Sequence, residues 1–228
     1  MVDKYEAKKF VAAKGVDEKY IIPTLGVYNS FQEIDFDNLP ESFVLKCTHD
    51  SGSVVVCKDK KEFDMEKAKM KLERGLCRNY YYGSREWPYK NVKPRIIAEK
   101  YMRDRDNENL PVYKIFCFMG NPTIIQTILN DKTLKETVDY YDTEWHKLNI
   151  RQGFPNSDEL LEKPEKLALM LNIARKLSAG FPFLRIDLYY VNGDVYFSEY
   201  TFYSDSGLTP FVPDEWDRKL GDLIILPY

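Results

Sequence analysis

Apolar positions recur with two different periods along this chain, and the alternation between them predicts a mixed α+β protein. Tyr5, Ala7, Phe10 and Val11 fall at roughly helical spacing within residues 4–14, and an extended stretch, YIIPTLGVY, follows. FVLKC (43–47) and SVVVC (53–57) read as strands joined by the polar loop THDSG. Residues 64–76 read as a helix with Asp64 as its cap. Further strands are predicted at RIIAEKY (95–101), VYKIFCF (112–118) and TIIQTIL (123–129), the last two joined by a turn through Met119-Gly120-Asn121-Pro122. Pro164 starts a helix that runs to about Ala179, with a stripe at Leu167, Met170, Leu171, Ala174 and Leu177. Two alternating strands around Asn192-Gly193, LRIDLYYVNGDVYFSEYTF, and a polar turn, SDSG, come next, and no internal repeat is visible.

The last hairpin holds the densest chemistry, and its register decides what that chemistry is, because side chains alternate between faces. A two-residue Asn192-Gly193 turn places Asp187 and Glu199 on opposite faces; a three-residue loop with Gly193 left-handed in a bulge puts the odd positions on one. The second register sorts the residues: Leu184, Ile186, Leu188, Tyr196 and Tyr200 on one face, Arg185, Asp187, Glu199 and Thr201 on the other. Two carboxylates and a hydroxyl together make a hard oxygen set of the kind magnesium accepts with water and phosphate. A solvated face with an Arg–Glu cross-strand pair accounts for the same residues equally well. Taken alone, the hairpin leaves both readings open.

Composition narrows the alternatives. At 228 residues the chain has room for one large domain or two lobes. Thirty-three basic residues against thirty-six acidic ones give a formal charge of −3, so nucleic acid is not expected as the main partner. The N-terminus lacks the apolar stretch of a signal peptide and no eighteen apolar residues run together, which predicts a soluble, cytoplasmic protein without a membrane span. The four cysteines form no C-x-x-C and only two histidines are present, so neither a zinc site nor a disulfide framework is indicated. Cys47 and Cys57 lie in apolar strands with no activating partner, which argues against cysteine catalysis.

Several phrases succeed one another over nearly the whole chain. Asp3-Lys4 opens a helix leading to Pro23; FVLK leads to Ser51-Gly52-Ser53; IIAEKYM follows; R-I-D is followed by E-Y-T-F and Ser-Gly. In order and spacing these resemble the ATP-grasp superfamily. The longer phrases FVLKCTH, NYYYGSREWPY, KPRIIAEKY and GFPFLRIDLY resemble its TupA-like branch, associated with teichuronopeptide and capsular polysaccharide synthesis. The resemblance implies an α+β ATP-grasp fold: two α+β lobes with the nucleotide cleft between them. Residues 1–98 would be the small lobe, with a phosphate-covering loop and an aromatic insert, and 99–228 the large lobe, with the metal-binding hairpin. Because the match begins almost at residue 1, the N-terminal domain that usually precedes this fold is expected to be absent. A partner subunit could then complete the acceptor site.

Roles follow from the same resemblance. Lys4 and Lys46 match the two phosphate-binding lysines, mobile point charges suited to that ligand. The loop Thr48 to Ser53 matches the flexible segment whose backbone, at Ser51, Gly52 and Ser53, covers the β- and γ-phosphates. Asp50 and Ser53 stand where the branch tends to have glycine, which implies a stiffer loop with added negative charge near phosphate. Backbone at Lys100 and Met102 would read the adenine edge with Glu99 supporting it, Asp106 (or Asp104) would take the ribose, and Lys114 the phosphates. Asp187 and Glu199 match the metal-binding carboxylates, Glu199 bridging two Mg²⁺ ions. Thr201 stands where most relatives have asparagine, a better metal ligand. Arg185 would steady the γ-phosphoryl group, and Ser206 and Gly207 would floor the acceptor site. His49 is a further substrate candidate; Arg85 and Trp87 belong to an insert that reads either as local aromatic packing or as an acceptor surface, since a flat aromatic and a guanidinium suit a uronate sugar.

The implied reaction is ATP-dependent joining of a carboxylate to an amine through an acyl phosphate, a uronic acid and an amino acid being the expected pair. Two rivals share the scaffold: a sugar or small-molecule kinase, and a nucleotide-binding accessory protein without turnover.

Overall fold

A computed structural model describes residues 1–105, 110–131 and 133–226. The chain divides into two compact units, the first made of Met1–Phe10 and Ile22–Met102, the second of Val11–Ile21 and Arg103–Tyr228.

The first unit is built on a four-stranded antiparallel sheet in the order β1-β4-β2-β3, from β1 (Thr24–Tyr28), β2 (Phe43–Cys47), β3 (Val54–Cys57) and β4 (Ile96–Lys100). Strict alternation sends Phe43, Leu45 and Cys47 of β2, and Ile96 and Ala98 of β4, into one core with Leu72 and Ala68 of α2 (Met65–Leu76). Asp64 caps α2 as expected, accepting a hydrogen bond from Lys67 N. The opposite sheet face carries Lys46 and Glu99, and α1 (Lys4–Ala13) adds Lys8 to them. The aromatic insert forms a short helix, α3 (Tyr80–Ser84), and a 3₁₀ turn at Trp87–Tyr89.

The second unit is a six-stranded antiparallel sheet in the order β10-β9-β5-β6-β7-β8. Its strands are β5 (Val112–Phe118), β6 (Asn121–Leu129), β7 (Thr137–Asp142), β8 (Lys147–Leu148), β9 (Phe183–Val191) and β10 (Asp194–Thr201). Helix α4 (Leu167–Ser178) lies on one face against β5, β6 and β9, with Met170, Ala174 and Leu177 buried along its stripe. On the other face an aromatic cluster with Phe116, Phe118 and Tyr140 is joined by Leu220 of α5 (Glu215–Gly221).

The final hairpin corrects the expected register. Val191 pairs with Asp194, so the turn has two residues, Asn192 and Gly193, both left-handed (φ 51° and 81°). Such a turn matches the twist of the flanking strands, and Asn-Gly is its preferred sequence. The odd residue lies instead in β10: the register shifts between Phe197 and Glu199, leaving Ser198 as a bulge. Beyond it Glu199 stands opposite Asp187 and Thr201 opposite Arg185. The four residues therefore share a face, but a strand bulge rather than an odd loop puts them there. Tyr196 is also reassigned: it stands opposite Tyr189 and is half-buried, while Phe197 pairs with Leu188 in the core.

Candidate functional site

In the first unit, Glu99 is 4% exposed and lies between β1 and β2, opposite Thr24 on one side and Val44 on the other. Its Oε1 is paired with the Lys8 ammonium and its Oε2 with Lys46 Nζ at 2.7 Å. Lys8 donates in addition to Ile22 O (2.7 Å) and Thr24 Oγ1 (3.1 Å). Burial works to raise the Glu99 carboxyl, but the coulombic pull of Lys46 and then Lys8 outweighs it and holds the group below its ordinary value. Lys8 went unread in the sequence, although Lys4, Ala7, Lys8 and Val11 form one helical stripe that could have revealed it.

The loop after β2 is largely enclosed. Thr48, His49, Asp50 and Ser53 are buried, and only Ser51 and Gly52 are exposed. His49 Nε2 lies 3.2 Å from Gly75 O and 3.1 Å from Arg78 O, at the end of α2. Ser53 Oγ donates to Asp50 Oδ2, so the extra charge expected near phosphate is turned inward, where Oδ1 is buried without a hydrogen-bond partner among the described residues. Lys4 Nζ donates to the Asp50 carbonyl and so ties α1 to the loop. Beneath the loop, burial with Asp50 pushes the Cys47 thiol up to about 12, which leaves it inert as a nucleophile.

Arg85 and Trp87 are exposed on the aromatic insert, where Lys90 Nζ sits 4.3 Å over the Trp87 ring and the Arg85 guanidinium 5.9 Å over Tyr81. Lys100 N is bonded to Pro23 O (3.0 Å), its side chain is exposed, and Met102 is half-buried.

The second unit gathers Lys114, Arg185, Asp187, Glu199 and Thr201 on the face away from α4. Lys114 stands opposite Asp187 across β5 and β9, and Glu199 opposite Asp187 across β9 and β10. Arg185 grips Asp187 with both prongs, Nε to Oδ1 at 2.7 Å and Nη2 to Oδ2 at 2.8 Å. It also donates to Thr201 Oγ1 (3.0 Å) and Ser204 Oγ (2.8 Å), and its guanidinium lies 6.0 Å over the Phe116 ring. Burial opposes the guanidinium's charge, but Asp187 outweighs that and keeps it raised. Lys114 is pushed down by burial and by Arg185, against the pull of Asp187 and Glu199.

Beside Arg185 opens a cavity of about 470 Å³ lined by Phe116, Phe202, Ser204, Gly207 and Phe211 among others. Asp205, Ser206 and Gly207 follow one another with left-handed backbone (φ 48°, 57° and 70°), a strained turn at the cavity edge. Asp104, the alternative for the ribose, is committed through Oδ2 to Asn192 N (2.8 Å), and Asp106 lies outside the described residues. Among the described residues no three His, Cys, Asp or Glu side chains come together as a metal site, so an ion here would rest on two carboxylates. That donor set fits Mg²⁺, which commonly takes one or two carboxylates and completes its shell with water and phosphate oxygens. No helix among the described residues is long and apolar enough to cross a membrane.

Comparison with solved structures finds the D-alanine–D-alanine ligase of Bacillus anthracis complexed with ATP, at a TM-score of 0.54 and 18% identity, covering 98% of this chain and 64% of that one. A second structure of the same ligase gives a TM-score of 0.50 and 17% identity, covering 98% and 65%. These likenesses show the fold, an α+β ATP-grasp architecture, and the chain spans about two thirds of that ligase's length or slightly less. No curated protein sequence matches. The sequence profile of the TupA-like ATPgrasp family matches residues 1–225, and with nearly every residue inside that match the chain belongs to this family.

Proposed function

We propose that the protein is an ATP- and Mg²⁺-dependent carboxylate-amine ligase that acts through an acyl phosphate, joining an amino acid or other amine to a uronic acid of a surface polysaccharide. The observation that supports it best is the single sheet face of Lys114, Arg185, Asp187 and Glu199, cations for phosphate beside hard oxygen ligands, in a chain of this family. Asp187, Glu199 and Thr201 would hold Mg²⁺, which when bound neutralises phosphate charge. Asp187 accepts one hydrogen bond from Arg185 on each oxygen, and each oxygen keeps a further lone pair with which it could ligate the ion, while Arg185 would steady the transferring phosphoryl group.

In this reading Lys4, Lys46 and the backbone of Ser51, Gly52 and Ser53 take the phosphates. The backbone of Lys100 and Met102 takes the adenine, with Glu99 supporting that segment from its lysine pairs rather than touching the base, and Asp106 takes the ribose. A substrate carboxylate oxygen attacks the γ-phosphorus and the bond to the ADP oxygen breaks. The amine nitrogen then attacks the acyl carbon, forming the amide as phosphate leaves and the amine gives up a proton. Positioning and charge neutralisation supply most of the acceleration. The cavity beside Arg185, with Gly207 in its wall, is where we put the acceptor. Arg85 and Trp87 are assigned to the saccharide.

Isotope transfer tests the chemistry. With ¹⁸O in the carboxylate of the acid, the label should appear in released phosphate only when ATP, Mg²⁺ and an amine are present. A stable phosphorylated sugar with no label in phosphate would establish a kinase instead.

A further inference from the structure

We infer that Lys8 is a positioning residue of the nucleotide site: by taking one oxygen of Glu99, it lets Lys46 meet phosphate as a net positive centre rather than as half of a neutral pair. The inference rests on the reading that Lys46 contacts phosphate. Lys8 is 7% exposed, and lysine is almost never buried to this extent unless paired. An ammonium has three hydrogens. Here they are matched by three oxygens, Ile22 O, Thr24 Oγ1 and Glu99 Oε1, so Lys8 is committed inside the protein and acts through Glu99.

The charge count gives that contact its meaning. Glu99 carries one negative charge and faces two ammonium groups, Lys8 on Oε1 and Lys46 on Oε2. Without Lys8, the carboxylate would cancel Lys46, and a neutral pair attracts phosphate weakly. Stability alone does not explain a lysine at this position. Burying an ion pair costs much of what its attraction returns, and an apolar side chain of similar length is often as good or better. A cation kept in so enclosed a place is better explained by the charge it leaves on its neighbour.

The test is equilibrium binding of adenosine, ADP and ATP, with Mg²⁺, to wild type, Lys8→Met, Lys8→Gln, Lys8→Arg and Lys46→Ala. Lys8→Met should bind ATP about tenfold or more weakly, ADP less so, and adenosine as wild type does, because the loss follows phosphate charge. Lys8→Arg should recover most of the ATP affinity. If Lys8→Met does not fold, Lys8→Gln carries the test, since its amide can still donate a hydrogen bond but has no charge. Equal losses for adenosine and ATP would reduce Lys8 to a structural prop, and unchanged ATP affinity would overturn the inference. If Lys46→Ala itself binds ATP like wild type, the phosphate reading fails; if it loses ATP while the uncharged Lys8 variants do not, only the inference about Lys8 fails.

Discussion

Lys46 occupies the one polar position of a strand whose other residues are Phe43, Val44, Leu45 and Cys47, and it pairs there with a carboxylate that is almost wholly enclosed. A mobile cation held at one end by such a partner is well placed to follow an anionic ligand. Lys46→Ala should therefore weaken ATP binding by about 1.5–3 kcal/mol, the usual worth of a charged hydrogen bond, or roughly ten- to a hundredfold. Lys58→Ala, on exposed chain just past β3, should change it little. Calorimetry decides between them: similar losses at both would mean diffuse surface charge, and none at either would leave this unit without a phosphate role. At this scale the sequence told most about residues that break a pattern, as Lys46 does among apolar neighbours. Lys8 was easy to pass over because it sits in a helix with Lys4 and Lys9, and only its stripe with the buried Ala7 and Val11 sets it apart from solvated lysines.

Among the elements, β2, β5 and α2 were legible because each obeys a clean period or opens on a cap. Strand β7 was not: Asp139 lies buried in it, paired with Lys147 at 2.8 Å, and a buried charge spoils the apolar alternation that marks a strand. The hairpin shows a different limit. Sequence reasoning found which residues must share a face but placed the odd residue in the turn, since the strand bulge at Ser198 leaves no local signal while Asn-Gly closes the loop with two residues. The loop after β2, expected as a stiffened phosphate-covering segment, is seated on α2 at a glycine. A Cβ on Gly75 would come 2.5 Å from Ser53 Oγ and 2.7 Å from Cys47 Sγ. Gly75→Ala should thus destabilise the protein by about 1–3 kcal/mol despite alanine's better helix propensity. Gly83→Ala, where the added methyl meets open space, should be neutral or slightly stabilising in the same denaturant titration. Wild-type stability for Gly75→Ala would show that the loop is not seated as described.

Across the whole molecule, the order of its phrases identified the fold more surely than any single motif, since each is short and common while their succession spans the chain. The functional account then depends on two sets of charges, one in each unit: Lys8, Lys46 and Glu99 in the first, Lys114, Arg185, Asp187 and Glu199 in the second. Its central claim is that the second set supplies the Mg²⁺ ligands for nucleotide. The direct measurement is ATP affinity with and without Mg²⁺, for wild type and for Glu199→Gln, which removes a half-buried carboxylate's charge while keeping its shape. Wild type should bind ATP at least tenfold more tightly with Mg²⁺ than without, and Glu199→Gln should lose most of that gain while binding metal-free ATP about as well. An identical Mg²⁺ dependence in the two proteins would contradict the metal assignment and the ligase mechanism built upon it.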